Sequence, residues 1–77
     1  MRSGKRIREE KLRRALDNWL SLVREVSDMT ECELEELLRR ERSRRSPREQ
    51  FIVRIHQRLS KLRSQRERAQ LLREIKR

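Results

Sequence analysis

Glycine, proline and β-strand patterns are almost missing from this sequence. The 77 residues include one glycine and one proline. Gly4, the single glycine, cannot form a phosphate-cradling P-loop or the glycine fingerprint of dinucleotide-binding proteins. Nucleotide-dependent enzymes that need such loops are therefore excluded. The apolar residues recur instead at helical spacings.

Cysteine and histidine are equally scarce, with Cys32 and His56 as the only examples. One cysteine cannot form an intrachain disulfide, and this pair cannot hold zinc without carboxylates or a second chain. No asparagine or aspartate is evidently placed to orient the histidine for nucleophilic catalysis. We therefore expect no enzyme activity, no metal and no cofactor, in a reducing, cytoplasmic setting.

The aromatic residues are limited to Trp19 and Phe51. Two aromatics give little material for stacking on single-stranded bases. We expect both in the core, although an exposed Trp19 would be a natural partner anchor. No run approaches the roughly 20 apolar residues that cross a bilayer. We expect no membrane partner and no small-molecule substrate.

The hydrophobic pattern predicts one small helical domain over residues 1–77, with residues 1–4 disordered. Between Lys5 and Met29 the apolar residues recur at spacings of three and four, which predicts one long amphipathic helix. Asp28 to Thr30 then interrupts the period. The sequence Thr30-Glu31-Cys32-Glu33 is typical of a capping box, so a short second helix should begin at Glu31.

A third helix is predicted after a basic turn at Arg42 to Ser46. Ser46 is a suitable N-cap, Pro47 suits the first helical position, and Glu49 completes a second capping box. The helix then carries an apolar three-four repeat, with Ala69 and Arg66 at seam positions, and can run nearly to Arg77.

We predict an all-α fold of three helices, in which the two long amphipathic helices form an antiparallel hairpin crossed by the short middle helix. A chain below roughly 80 residues gains little stability from one core. We therefore expect a homodimer. The predicted self-association seam, or partner anchor, is Leu12, Leu16, Trp19 and Val23.

The stretch from Met29 to Ile75 resembles short helical proteins of bacteriophages and prophages. Two segments carry the resemblance: Met29-Thr30-Glu31-Cys32-Glu33-Leu34-Glu35-Glu36-Leu37-Leu38 and Phe51-Ile52-Val53-Arg54-Ile55-His56-Gln57-Arg58-Leu59-Ser60-Lys61-Leu62-Arg63. The resemblance brings no catalytic or binding motif. It implies a small regulator or host-directed factor that acts in the cytoplasm of the host cell.

Charge is segregated along the chain, whose net charge is +10. Residues 1–24 hold eight Lys/Arg and three Asp/Glu, residues 25–36 hold six Asp/Glu and no Lys/Arg, and residues 37–77 hold fifteen Lys/Arg and four Asp/Glu. The acidic segment can pair with arginines of the same chain, or it can repel nucleic acid from one face. The sequence leaves both interpretations open.

Two basic surfaces, one on the turn and one on the third helix, are candidate contact sites. The simpler interpretations are a solvated linker for the turn and an ordinary solvent-exposed face for the helix. The turn before the third helix is rich in arginine forks, which suit phosphates and carboxylates: Arg39, Arg40, Arg42, Arg44, Arg45 and Arg48. On the third helix, four cations each precede a seam position by one residue and form a stripe about 100° from it: Arg54, Arg58, Lys61 and Arg68.

These surfaces predict a non-catalytic basic protein, a small regulator that binds DNA or RNA through arginine. The alternative is a phage-encoded protein that docks on an acidic surface of a host polymerase, nuclease or defence factor and alters its activity. A helix-turn-helix is unsupported, since the turn lacks glycine and the third helix is apolar along one side.

Overall fold

The computed structural model of this protein describes the backbone of residues 2–75 and the side chains of residues 8–75. Its four helices are α1 (Arg2–Ala15), α2 (Trp19–Val26), α3 (Glu31–Arg42) and α4 (Glu49–Ile75). No strand occurs within residues 2–75, so the all-α prediction is confirmed. Residues 2–4, predicted to be disordered, lie in the backbone of α1, and Met1, Lys76 and Arg77 lie outside the described residues.

The prediction of three helices was wrong, because the long first helix is broken at residues 16–18. Asn18 has extended backbone angles, and its side-chain oxygen accepts a hydrogen bond of 2.9 Å from the amide of Ser21. An asparagine that satisfies an amide in this way favours a helix start over a helix interior. α2 therefore begins anew at Trp19.

The predicted capping box at the start of α3 is confirmed. The Thr30 hydroxyl accepts from the amide of Glu33 at 3.2 Å, and the Glu33 carboxylate accepts from the amide of Thr30 at 2.9 Å. The second predicted box is wrong, since α4 begins at Glu49 instead of Pro47. The amide of Arg48 there donates to the Glu41 carboxylate at 2.8 Å.

One hydrophobic core joins all four helices. Its buried members are Leu12, Ala15, Leu22, Val26, Met29, Leu34, Leu37, Phe51, Ile55 and Leu59. The most extensive contacts join α3 to α4 and α1 to α2. The predicted hairpin between the first and last helices stays a prediction.

Leu12 is fully buried in this core, so it is unavailable to the self-association seam proposed for it. Leu16 packs against the core and Val23 is half-buried. Among the four seam residues, Trp19 alone is exposed, which contradicts its predicted place in the core. Phe51 is buried as predicted.

The two halves of α4 have opposite surroundings. Ile55 and Leu59 are fully buried, whereas every residue from Ser64 to Ile75 is exposed. At about 100° per residue, Leu71 and Ile75 point roughly opposite to Ile55. The apolar stripe of α4 therefore changes sides, and its second half leaves the core.

Candidate nucleic-acid interface

The carboxylates of α3 neutralise one flank of α4. Glu31 lies 2.9 Å from Nε of Arg66 and 4.0 Å from Nε of Arg63, and Glu35 lies 3.1 Å from Nη2 of Arg63. The hydrogen bonds that Arg66 donates to Glu31 raise the pKa of Arg66. On this side of α4, the arginines form ion pairs with carboxylates of the same chain.

Three more carboxylates of the acidic segment, those of Glu25, Glu33 and Glu36, are also paired internally. Glu36 accepts from Arg39 at 2.6 Å and from Arg40 at 3.1 Å, and these hydrogen bonds lower the pKa of Glu36 to about 2. Arg40 reaches Glu9 as well, at 2.7 Å. Lys11 lies 3.4 Å from Glu33, and Arg14 lies 3.5 Å from Glu25. Of the two interpretations of the acidic segment, internal pairing accounts for its placement.

Arg48 was predicted to contact a partner, but in the structure it binds groups of the same chain. Its Nη2 and Nε atoms donate to the fully buried Glu41 carboxylate at 2.8 and 3.1 Å, and Nη2 also donates to the Leu16 carbonyl at 2.9 Å. Burial works to raise the pKa of Glu41, but the hydrogen bonds from Arg48 outweigh it and lower that pKa. The guanidinium also covers the Phe51 ring at 3.5 Å.

The other arginines of the basic turn divide into two groups. Arg44 lies 3.7 Å from Glu41, and Arg39 and Arg40 are held by Glu36. Arg42 and Arg45 are exposed and have no ion-pair partner among the residues described. Arg42 lies in an open groove of about 450 Å³ between α3 and α4, together with His56, Arg63, Leu38 and Leu59.

The predicted stripe on α4 lies on the flank away from the α3 carboxylates. Arg58 donates to the carbonyl of Ser27, after α2, at 3.1 Å. Within residues 8–75, no carboxylate forms an ion pair with any stripe member: Arg54, Arg58, Lys61 and Arg68. The Nε atoms of Arg54 and Arg58 are buried and have no acceptor among the residues described. A buried donor without an acceptor is uncommon in native proteins.

Trp19 adds an apolar surface at the beginning of this stripe. Its side chain is 44% exposed, and its ring meets the buried Phe51 ring edge-to-face at 5.8 Å. A groove of about 590 Å³ runs beside it. The groove is lined by Trp19, Glu49, Gln50, Val53, Arg54 and Gln57. The sequence analysis named Trp19 as a partner anchor if it were exposed, but it did not predict the groove, because it did not predict the helix break at Asn18.

The single cysteine and the single histidine both lie at the surface. Cys32 is exposed in the first turn of α3, and His56 is exposed on α4. In the described part of the chain, no group of three or more histidine, cysteine, aspartate or glutamate residues is arranged to hold a metal ion. Nor does any described helix combine the length and apolar character needed to cross a membrane.

Comparisons with protein-family models, curated proteins and solved structures found no match for this chain.

Proposed function

We propose that this protein is a non-catalytic regulator that binds nucleic acid through phosphate contacts along α4. The observation that carries the proposal is the unequal pairing of arginines. Glu31 and Glu35 occupy the cations of one flank, whereas Arg54, Lys61 and Arg68 on the other flank meet no carboxylate of the described chain. Cations left without an internal partner are available to phosphates, and their counterion release gives the binding free energy.

The length and placement of the stripe suit this role. From Arg54 to Arg68 the helix rises about 21 Å at 1.5 Å per residue, roughly six base steps of a nucleic-acid strand at 3.4 Å. Arg58 is held near this line by the Ser27 carbonyl, so its position costs little side-chain entropy on binding. Arg42 and Arg45 supply further cations from the turn.

The test measures affinity for labelled DNA and RNA as a function of salt, for two variants of equal charge. One is Arg54→Ala/Lys61→Ala/Arg68→Ala, which removes stripe cations. The matched control, Arg39→Ala/Arg63→Ala/Arg66→Ala, removes three cations that carboxylates already hold.

The stripe variant should reduce the slope of log affinity against log salt by about 0.7 to 0.9 for each cation that no longer meets a phosphate, and the control should change it little. Circular dichroism checks that both variants remain helical. No measurable binding by the wild type at low salt, or equal losses of affinity in the two variants, would refute the proposal.

A second candidate function is docking on an acidic protein surface, and the exposed apolar end of α4 favours it. Leu71, Leu72 and Ile75 are 58%, 49% and 77% exposed. A helix that presents such residues beside Arg68 fits a partner with an apolar groove and an acidic rim. A host protein bound by a phage-encoded chain in the cytoplasm is a proposal of this class. A homodimer is a separate proposal, which would use the same apolar residues without an acidic rim.

Nuclease treatment separates the two functions. The full chain is used to recover bound material from host lysate with and without nuclease. Loss of that material on treatment favours nucleic acid. A single retained protein, whose binding is weakened by Leu71→Asp, favours docking.

A further inference from the structure

We infer that the groove beside Trp19 takes one unpaired base of a single-stranded nucleic acid, whose backbone then follows the cations of α4. This inference rests on the proposed function and specifies its ligand. The first observation is the tryptophan itself, which remains 44% exposed in a chain whose other aromatic ring is buried. An exposed indole beside a basic stripe is the arrangement with which proteins stack bases of single strands.

The tryptophan packs against a connected set of side chains, formed by Phe51, Arg48 and Glu41. Its ring meets Phe51 at an interplanar angle of 66°, so the Phe51 ring fixes one side of the indole. Phe51 is covered in turn by the Arg48 guanidinium, which Glu41 holds through two hydrogen bonds. A platform held in this way loses little freedom when a flat ligand stacks on it.

The walls of the groove suit a heterocyclic base. Its volume of about 590 Å³ lies within the roughly 300 to 1,000 Å³ of ligand-binding clefts. Val53, which is 47% exposed, gives an apolar wall. Gln50 and Gln57 supply amides that both donate and accept hydrogen bonds, as the edges of a base require.

The charges around the groove determine on which side of it the bound backbone lies. Arg54 lies in the groove, and its buried Nε atom has no acceptor among the residues described. Lys61 and Arg68 continue the stripe beyond it, whereas the Glu49 carboxylate lies in the same groove at the first turn of α4. Glu49 repels phosphate, so the bound backbone should extend from Trp19 along α4 towards Arg68 and not past Glu49.

The ligand has to be single-stranded where it meets the groove. A base within a duplex is stacked on both faces and paired along its edge, so it cannot reach the indole without unpairing. The unpaired cations that lead away from the groove favour a phosphate chain over an apolar side chain of a protein.

The experiment uses the single tryptophan of this chain as its own reporter. Three probes of equal length, about 12 nucleotides, are compared: a deoxythymidine oligomer, an oligomer of the same backbone without bases, and a duplex. The thymidine oligomer should quench the tryptophan emission. The abasic oligomer should bind about tenfold more weakly, with a similar salt slope and no quenching.

Variants give an independent measurement. Trp19→Leu should weaken the thymidine oligomer about tenfold and leave the abasic oligomer unchanged, and Trp19→Phe should retain most of the affinity. Leu20→Ala is the matched control, since Leu20 is a 67% exposed neighbour that does not line the groove. It should change neither affinity.

The outcomes separate this inference from the proposed function. Equal affinity for the thymidine and abasic oligomers, without quenching, would overturn the base site and leave phosphate binding intact. A duplex that binds as tightly as the thymidine oligomer would also overturn it. If no probe binds at low salt, the proposed function fails as well. Because these comparisons use the wild-type chain, they hold even if Trp19→Leu fails to fold.

Discussion

The two flanks of α4 have similar amino-acid chemistry and different surroundings. The flank towards α3 carries Arg63 and Arg66, and both are paired with carboxylates of α3. The flank towards α2 carries Arg54 and Lys61, which meet no carboxylate within the described residues. The difference shows that an arginine becomes a structural group or a free cation according to the helix that packs beside it.

The same division runs through the basic turn. Arg48 is fixed on a buried carboxylate, while Arg45, three residues earlier, is exposed and has no ion-pair partner in the described chain. A high arginine count therefore overstates the surface that can bind phosphate. Only the cations left over after internal pairing should contribute to the salt dependence of binding.

The largest expected effect comes from breaking the most buried pair. Glu41→Ala leaves Nε and the amide of Arg48 without an acceptor, and Nη2 of Arg48 keeps only the Leu16 carbonyl. The loss of one partner of a buried pair should lower the free energy of unfolding by about 3 kcal/mol. Urea denaturation followed by circular dichroism measures it. Glu10→Ala, at an exposed carboxylate, should change stability by less than about 0.5 kcal/mol, and an equal loss of stability in both variants would contradict the prediction.

The next prediction concerns a variant that frees the paired cations on the α3 flank of α4. Glu31→Gln/Glu35→Gln removes the carboxylates that hold Arg63 and Arg66. If the proposed function holds, nucleic-acid affinity should rise, and the salt slope should steepen by about 0.7 to 0.9 for each released cation that reaches a phosphate.

Glu67→Gln/Glu74→Gln provides the matched control, because it removes the same charge from the exposed half of α4. No described ion pair involves either residue. This variant should raise affinity only through net charge. A control that steepens the slope as much as the α3 variant would show that total charge, and not internal pairing, sets the affinity.

Local patterns predicted the parts of the fold that depend on near neighbours in sequence. The capping box at Thr30 and the helical character of α4 both follow from residues a few positions apart. The break at Asn18 was missed because the apolar period continues across it. The hydrogen bond from the Ser21 amide to the Asn18 side chain makes Asn18 an N-cap instead of a residue of the helix interior.

The candidate site was less predictable, because it depends on contacts between distant segments. The stripe from Arg54 to Arg68 follows from helical periodicity, but its lack of carboxylates depends on where α3 packs. The role of Glu41 as acceptor for Arg48 had no signal beyond a lone acid within an arginine-rich turn. The exposure of Trp19 depended in turn on the missed break.

A smaller effect is expected at the helix that supplies the neutralising carboxylates. Thr30→Ala removes the hydroxyl that accepts from the Glu33 amide, and it should lower the free energy of unfolding by about 1 kcal/mol. Ser60→Ala, at an exposed position within α4, should have almost no effect. Thermal denaturation of the two variants compares them, and equal stability would show that the capping box contributes little.

The smallest expected effect concerns Glu36, a carboxylate held by Arg39 and Arg40. These hydrogen bonds lower its pKa from the ordinary 4.5 to about 2 in the folded protein. The unfolded chain therefore takes up this proton first as the solution is acidified, and the stabilising contribution is complete above about pH 4.5. It declines as the pH falls towards 2, where the folded carboxylate is protonated as well.

Glu36→Gln lacks this contribution at every pH, so it isolates the effect of the carboxylate. The difference in unfolding free energy between wild type and Glu36→Gln should be constant near neutral pH and disappear towards about pH 2. Added salt should reduce the difference at neutral pH, because solvent reaches the pair and screens it. Urea titrations at several pH values measure it, with Glu10→Gln as a control for the change in net charge. A difference that grows on acidification would contradict the lowered pKa.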